Sequence, residues 1–222
     1  MRLFDPYLYE RIHLLIILAL SFYCFAILSH KKASMLINRG RSFNLVYVYS
    51  FLFILVVGLR PISPVFGDTV NYAQTYDRFS QIAERISSSK DLLFYSLMWF
   101  CSQHMGVQGF FLIVEILYVV PIVIGCLRLL NRNADIGILF CFAAFSFFTY
   151  GVNGLRNGVA LSLVFLALTF LQGGLWEKII CAFLSLLGIA FHASAALPVI
   201  CMVIAYFVKK PDFFFVFWLG FL

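Results

Sequence analysis

The chain has 222 residues, of which 63% are hydrophobic and only 12% are charged, and its mean hydropathy is +0.98. Because a soluble domain carries about twice that charged fraction, the composition excludes a soluble domain and predicts an all-α, polytopic transmembrane helical bundle. The formal net charge of +6 is interpreted as an orientation signal, so no nucleic-acid partner is expected.

The sequence contains no pattern that is typical of a metal or cofactor site. Its six cysteines lie in or beside apolar segments without a C-x-x-C pair, so they are interpreted as small apolar residues. No H-E-x-x-H, G-x-x-x-x-G-K-[ST] or G-x-S-x-G motif occurs, which argues against metal chemistry, ATP-driven activity and a serine hydrolase. We therefore expect no metal and no cofactor.

The first predicted span is Ile12 to Leu28, a retained anchor without a signal-peptide cleavage site. The loop that follows is basic and contains no acid, so we expect it in the cytoplasm and the N-terminus outside. Phe43 to Leu59 then runs outward, and the loop of residues 60–91 is predicted to be extracytoplasmic. The basic residues of the first loop are His30, Lys31, Lys32, Arg39 and Arg41.

The loop of residues 60–91 is predicted to carry an amphipathic helix. Pro61 and Pro64 end the preceding helix, and Asp68 or Thr69 is the expected N-cap of the next one. We expect this helix to lie on the membrane surface with its aromatic side in the interface. That side consists of Tyr72, Tyr76, Phe79, Ala83 and Ile86.

The segment Leu92 to His104 is short for a membrane crossing and could be a re-entrant or tilted half-helix. If it does not cross, the later basic clusters at Arg128/Arg132, Lys178 and Lys209/Lys210 all lie inside, as the positive-inside rule favours. The loops at Gly151 to Arg156 and at His192 then lie outside. The remaining predicted spans are Phe110–Leu127, Ile136–Tyr150, Leu155–Leu171, Lys178–Phe191 and Ala193–Val208.

The sequence ends within an apolar run, Phe213 to Leu222, that is too short to span a bilayer. We therefore expect residues 1–222 to be a single membrane domain that is incomplete at its C-terminus.

Polar residues in or near the apolar segments need a reason to be there. On one helix Asn153, Arg156, Asn157 and Ala160 would share a face. They indicate either a packing hairpin, with Arg156 snorkelling to the interface, or a guanidinium held against a phosphate with asparagine donors beside it. Gly154 and Gly158 would allow close helix packing.

Three other polar residues leave alternatives open. His192 could be a polar helix cap or an anion ligand at a helix N-terminus. Asp68 could be a helix cap, an acid–base group, or both. Glu115 lies within an apolar span and must face protein or water, or be protonated, and it receives no role.

Three motifs together resemble a known family. They are R-P-x(5)-G-D-T-x-x-Y from Arg60 to Tyr72, N-G-L-R-N-G-V-A from Asn153 to Ala160, and F-H-A-S from Phe191 to Ser194. In this order the chain resembles the EpsG-like and Wzy-like polysaccharide polymerases of bacteria, over roughly Leu45 to Ile204.

The resemblance implies a multi-pass enzyme of the bacterial inner membrane. Such a metal-independent glycosyltransferase moves glycan from a polyprenyl-diphosphate-linked donor to a lipid-linked repeat-unit acceptor, in O-antigen, capsule or exopolysaccharide synthesis. A chain-length regulator would be a possible partner beside the lipid-linked oligosaccharide and the bilayer. The implied roles are diphosphate binding by Arg60, Arg156 and His192, general base catalysis by Asp68, and substrate binding by Thr69, Tyr72, Asn153 and Asn157.

Two other classes of protein compete with the enzyme. A flippase for lipid-linked sugars would need polar residues along a path at membrane depth, and the spans offer chiefly Glu115. A structural subunit of an envelope assembly would leave the Arg, Asp and His motifs unexplained. The predicted gathering of those motifs at one membrane face favours the enzyme.

Overall fold

The computed structural model describes residues 5–29, 44–81 and 91–208, and the regular structure in these ranges is helical throughout, without a strand. This confirms the all-α class. The helices are α1 (Leu8–Ser29), α2 (Asn44–Gly58), α3 (Thr69–Gln81), α4 (Leu92–Ser102), α5 (Val107–Leu130), α6 (Ala134–Ala143), α7 (Phe145–Val152), α8 (Leu155–Leu168), α9 (Leu175–Phe191) and α10 (Ala196–Phe207). Short 3₁₀ turns occupy Pro64–Phe66, Asn131–Asn133 and Ala193–Ala195.

Several predictions fall outside the described residues. They are the basic loop that contains Lys31 and Lys32, the continuation of the amphipathic helix through Ala83 and Ile86, the pair Lys209/Lys210, and the terminal run Phe213 to Leu222.

In the part of the chain that the structure describes, two helical segments are long and apolar enough to cross a membrane, Leu8–Ala26 and Val107–Ala143. The second joins α5 and α6 through a 3₁₀ turn. Shorter apolar helices in the described ranges are Asn44–Gly58, Leu92–Ser102, Leu155–Leu168 and Ala193–Phe207. The multi-pass arrangement therefore stays a prediction.

Helix α5 is the centre of the bundle and packs against α2, α6 and α8. Small residues allow these helices to approach closely. A Cβ atom at Gly58 of α2 would lie 2.9 Å from the Leu112 backbone, and one at Gly188 of α9 would lie 2.9 Å from the Ala160 carbonyl oxygen of α8. The close α8–α9 contact ties the second and third motifs to each other.

The predicted span Ile136 to Tyr150 is wrong as a continuous helix. Ala144, with φ −62° and ψ 133°, has an extended backbone that separates α6 from α7. After the break, Phe147 turns inward and stacks on Phe142 of α6 and Tyr118 of α5, with ring centroids 4.3 and 5.1 Å apart. Apolar composition alone could not reveal this break, because both halves are equally hydrophobic.

The predicted helical face Asn153–Arg156–Asn157–Ala160 is also corrected. Asn153 closes α7 and Gly154 precedes α8, so Asn153 does not share a helix with the other three residues. The chain changes direction at Gly154, where φ is −89° and ψ is 42°.

The aromatic side of α3 faces the protein and not a membrane interface, so that expectation is wrong. Tyr72, Tyr76 and Phe79 are buried. Their rings contact Phe94 and Tyr95 of α4 and Phe110 of α5, and the Tyr76 hydroxyl donates to the Met105 carbonyl at 2.6 Å. Amphipathic periodicity predicts the helix and its buried side correctly, but it does not distinguish protein from lipid as the apolar surroundings.

Helix α4 begins and ends beside α3. Phe94 near its start lies 5.5 Å from Tyr72, measured between ring centroids, and Gln103 just after its end donates to the Phe79 carbonyl at 2.9 Å. Eleven residues of helix extend about 16 Å, roughly half the hydrocarbon thickness of a bilayer. This geometry favours the topology in which Leu92 to His104 does not cross.

Candidate functional site

The three motifs meet at one end of the bundle. Asn153 Oδ1 accepts the Asp68 backbone N–H at 2.8 Å, which joins the first motif to the second. Ser194 Oγ donates to Asn157 Oδ1 at 3.1 Å, which joins the second motif to the third. The loop ahead of α3, the start of α8 and the start of α10 therefore form one surface.

Gly67 makes the first of these contacts possible. Its φ of +58° lies in the left-handed region, where side chains other than hydrogen are strained. A Cβ at this position would lie 2.4 Å from Asn153 Oδ1. A glycine is thus required both by the turn and by the asparagine that packs against it.

Arg156 and His192 converge on one carboxylate, that of Asp91. Arg156 Nη1 donates to Asp91 Oδ2 at 2.6 Å, and His192 Nδ1 donates to Oδ1 at 2.9 Å. The Ala193 N–H adds a longer bond to Oδ1 at 3.4 Å. The Asp91 side chain is only 4% exposed, whereas Arg156 and His192 are 30% and 29% exposed. In this Asp91 cluster (Asp91, Arg156, His192) the carboxylate is therefore buried, and the two nitrogen-bearing side chains that bond to it are partly exposed.

Two tyrosines border Arg156. Its Nη1 also approaches the Tyr95 hydroxyl at 3.4 Å, and its guanidinium carbon lies 6.0 and 5.9 Å from the ring centroids of Tyr72 and Tyr95. Burial raises the pKa of the Tyr72 hydroxyl above its ordinary value, and the Arg156 charge opposes that shift. Tyr72 is therefore a neutral phenol at physiological pH that stabilises the guanidinium through its ring.

Asp68 lies on the same surface but apart from the Asp91 cluster. It precedes α3, its carbonyl accepts the Tyr72 N–H at 2.9 Å, and its exposed carboxylate accepts from Asn71 Nδ2 at 3.1 Å. Within the described ranges it forms no hydrogen bond or ion pair with Arg156 or His192. Asp68 thus occupies the helix-cap position and leaves a carboxylate open to solvent.

Arg60 points into the protein, away from the surface. Its side chain is 0% exposed and donates to the carbonyls of Val57 and Val152, at 2.7 and 3.2 Å, and to Glu115 Oε1 at 3.2 Å. Its guanidinium carbon lies 4.7 Å from the Phe111 ring centroid. The resemblance implied that Arg60 acts beside Arg156 and His192. The structure instead buries Arg60 and turns its donors towards protein oxygens, so it does not share their outer surface.

Glu115 is the partner of Arg60. Of the alternatives that the sequence left open for this residue within an apolar span, the structure shows that it faces protein. The Glu115 side chain is also 0% exposed. Its Oε2 and the Arg60 Nε have no hydrogen-bond partner among the described residues. We call this pair the Arg60 cluster (Arg60, Glu115 and the Val57 and Val152 carbonyls).

Thr69 belongs to the inner structure as well. Its hydroxyl is buried and lies 3.0 Å from the Val152 carbonyl, which also accepts from Arg60. Thr69 thus anchors the start of α3 to the end of α7 and does not reach the surface.

Sequence reasoning missed Asp91 and Tyr95. Asp91 is the last residue of the predicted extracytoplasmic loop, residues 60–91, and the prediction gave it no role. The available signal was its position directly before an apolar helix, where an N-cap is the simplest explanation. In the structure its side chain makes no capping bond to α4, which leaves the carboxylate free for Arg156 and His192.

The family model described as the EpsG family matches residues 43–222. The chain belongs to the EpsG family. Membership confirms the resemblance drawn from the three motifs and assigns this EpsG-family chain to membrane proteins of polysaccharide biosynthesis. No curated protein and no solved structure matches it.

Proposed function

We propose that this EpsG-family protein is a polysaccharide polymerase of the bacterial inner membrane. It would transfer glycan from a polyprenyl-diphosphate-linked donor to a lipid-linked repeat-unit acceptor in O-antigen, capsule or exopolysaccharide synthesis. The observation that carries this proposal is the pair Arg156 and His192, both partly exposed and held beside each other by Asp91 where the three motifs meet.

Arg156 and His192 suit the leaving group of that reaction. A polyprenyl diphosphate is already activated, so the protein must chiefly stabilise the charge that develops as the anomeric bond breaks. A guanidinium has five N–H donors, and Nη1 is engaged by Asp91 and Tyr95. Arg156 also bonds the Tyr72 side chain, and the donors that remain can bind phosphate oxygens. His192 is held on the same Asp91 carboxylate as Arg156.

Asp68, Asn153 and Asn157 are proposed to serve the acceptor. The exposed Asp68 carboxylate would accept the proton of the attacking hydroxyl. Because Asn153 and Asn157 each use the amide oxygen in a contact between motifs, their amide nitrogens are available to donate to sugar hydroxyls. Tyr72 would support Arg156, and Thr69 and Arg60 would hold the loop from inside.

The flippase alternative loses its main support in this arrangement. Glu115 was the chief polar residue at membrane depth, and it is paired with Arg60 and closed to solvent. A transport path would need polar groups that substrate can reach.

The direct test is an assay of purified full-length protein in liposomes with lipid-linked repeat unit as the substrate. We expect chain growth without ATP or an ion gradient. Movement of the repeat unit across the bilayer without chain growth would identify a flippase and reject the polymerase.

We expect the motif end of the bundle to be extracytoplasmic. In a background without native cysteines, Asp68→Cys, Asn153→Cys and His192→Cys should react with an impermeant maleimide added to intact cells. Cysteines at Lys31 or Lys209 should react only after the cells are opened, because the positive-inside rule places those loops in the cytoplasm. Protection at 68 combined with labelling at 31 would reverse the topology.

A further inference from the structure

We propose that Asp91 is the positioning residue of this site, fixing Arg156 and His192 as a two-point binding site for the diphosphate of the donor. This inference rests on the proposed function, and the residue that it names lies outside the three motifs. Asp91 lies between the first and second motifs, immediately before α4.

Geometry carries the argument. One carboxylate binds Arg156 through Oδ2 at 2.6 Å and His192 through Oδ1 at 2.9 Å, so its planar shape sets the separation of the two groups. The two groups come from different parts of the chain, because Arg156 lies in α8 and His192 directly follows α9. They are 36 residues apart in sequence. Without the shared carboxylate each would be a flexible side chain at a partly exposed surface.

The carboxylate also sets the direction of the two groups. Since a carboxylate only accepts hydrogen bonds, His192 must donate Nδ1–H to it, and Nε2 then points away from Asp91. Among the described residues His192 Nε2 has no hydrogen-bond partner, and Nη1 is the Arg156 nitrogen that bonds Asp91. When its ring is doubly protonated, His192 donates through Nε2–H as well. That donor and the Arg156 guanidinium, held at a fixed spacing, match an anion with two adjacent phosphoryl groups better than a neutral sugar.

Burial explains why Asp91 is not itself a ligand-contacting group. Its side chain is 4% exposed, while its two partners are seven-fold more exposed at 30% and 29%. The carboxylate therefore acts through Arg156 and His192. Among the described residues, Tyr95 of α4 and Tyr72 of α3 are aromatic neighbours of Arg156 in this cluster.

The test uses inorganic diphosphate as the probe, and it measures the thermal shift of the purified full-length protein alongside polymerisation. Asp91→Asn keeps the shape and removes the charge, and we expect at least about a 100-fold loss of polymerisation rate, as when a charge-stabilising contact is removed. Asp91→Glu keeps the charge and displaces it by one methylene, and we expect at least about tenfold weaker diphosphate binding because misplaced groups bind poorly. Asp77→Asn, an exposed acid on α3, is the matched control and should behave like the wild type.

A positioning role predicts overlapping losses. Asp91→Asn combined with His192→Ala should be no more than about threefold worse than the more damaging single variant, because residues that act through one another are not additive. Wild-type diphosphate binding by Asp91→Glu, or losses that multiply in the combined variant, would overturn the inference. A wild-type protein that binds diphosphate but forms no polymer would instead reject the proposed polymerase and leave Asp91 in its role.

Discussion

Replacing Arg156 with lysine is expected to remove most polymer formation although the positive charge is kept. The guanidinium is a planar fork that can hold Asp91 on one side and two phosphate oxygens on the other, whereas an ammonium is a compact point charge. The distance of 2.6 Å from Nη1 to Asp91 Oδ2 would not be reproduced by the shorter, differently shaped lysine head. We expect a loss on the order of 100-fold, the scale of one charge-stabilising contact at a reacting centre.

Polymer length on gels and protein level in the membrane together measure this effect. Arg128→Lys is the matched control, because Arg128 also pairs with a carboxylate, Glu177, at 2.7 Å and contacts the Phe170 ring. The Arg128–Glu177 pair is partly exposed and lies outside the surface that the three motifs form. Weakening this ion pair should therefore leave polymerisation intact. Full-length polymer from Arg156→Lys at normal expression would reduce Arg156 to a snorkelling residue and leave His192 and Asp68 to carry the proposed site.

Replacing Arg60 with methionine is expected to destabilise the fold strongly. The substitution leaves Glu115 buried without its counter-charge and removes the guanidinium hydrogen bonds to the Val57 and Val152 carbonyls. Breaking one partner of a buried ion pair costs about 3–5 kcal/mol. The Arg128–Glu177 pair, which is 36% and 42% exposed, should cost only about 0–1 kcal/mol when Arg128→Met breaks it.

A double variant separates a structural role of Arg60 from a direct role in binding. Arg60→Met with Glu115→Leu removes both buried charges, and such replacements are often neutral or stabilising. We expect its melting temperature in detergent to recover towards the wild-type value and polymer formation to return. Recovered stability without any polymer would instead restore Arg60 to the diphosphate-binding role that its motif suggested.

Much of this architecture could be predicted from the sequence. Long apolar runs fix the helices, since a segment such as α1 or α5 has few alternatives in a chain of this composition. Gly67 and the residues after it predict the start of α3, because turn and cap chemistry is local. The charges of the loops predict on which side of the membrane each loop lies. That assignment placed the loops with the three motifs on the same side.

The partners of the charged side chains could not be predicted in the same way. Arg60 pairs with Glu115 and Arg156 pairs with Asp91, at separations of 55 and 65 residues. Neither pairing leaves a periodic pattern, because each depends on how α5 and α4 pack against distant elements. The surroundings of the aromatic side of α3 were predicted wrongly for a related reason. The helical spacing of the aromatic residues from Tyr72 onward is the same whether that side packs against lipid or against α4.

The shared carboxylate of Asp91 also links three positions in evolution. A lineage that replaces Asp91 with a residue that cannot accept two hydrogen bonds would leave Arg156 and His192 without their shared acceptor, so we do not expect both to persist unchanged there. Position 115 should change together with position 60 for reasons of charge balance, but independently of position 91. Two separate groups of co-varying positions, one at the surface and one in the interior, are therefore expected among relatives of this chain.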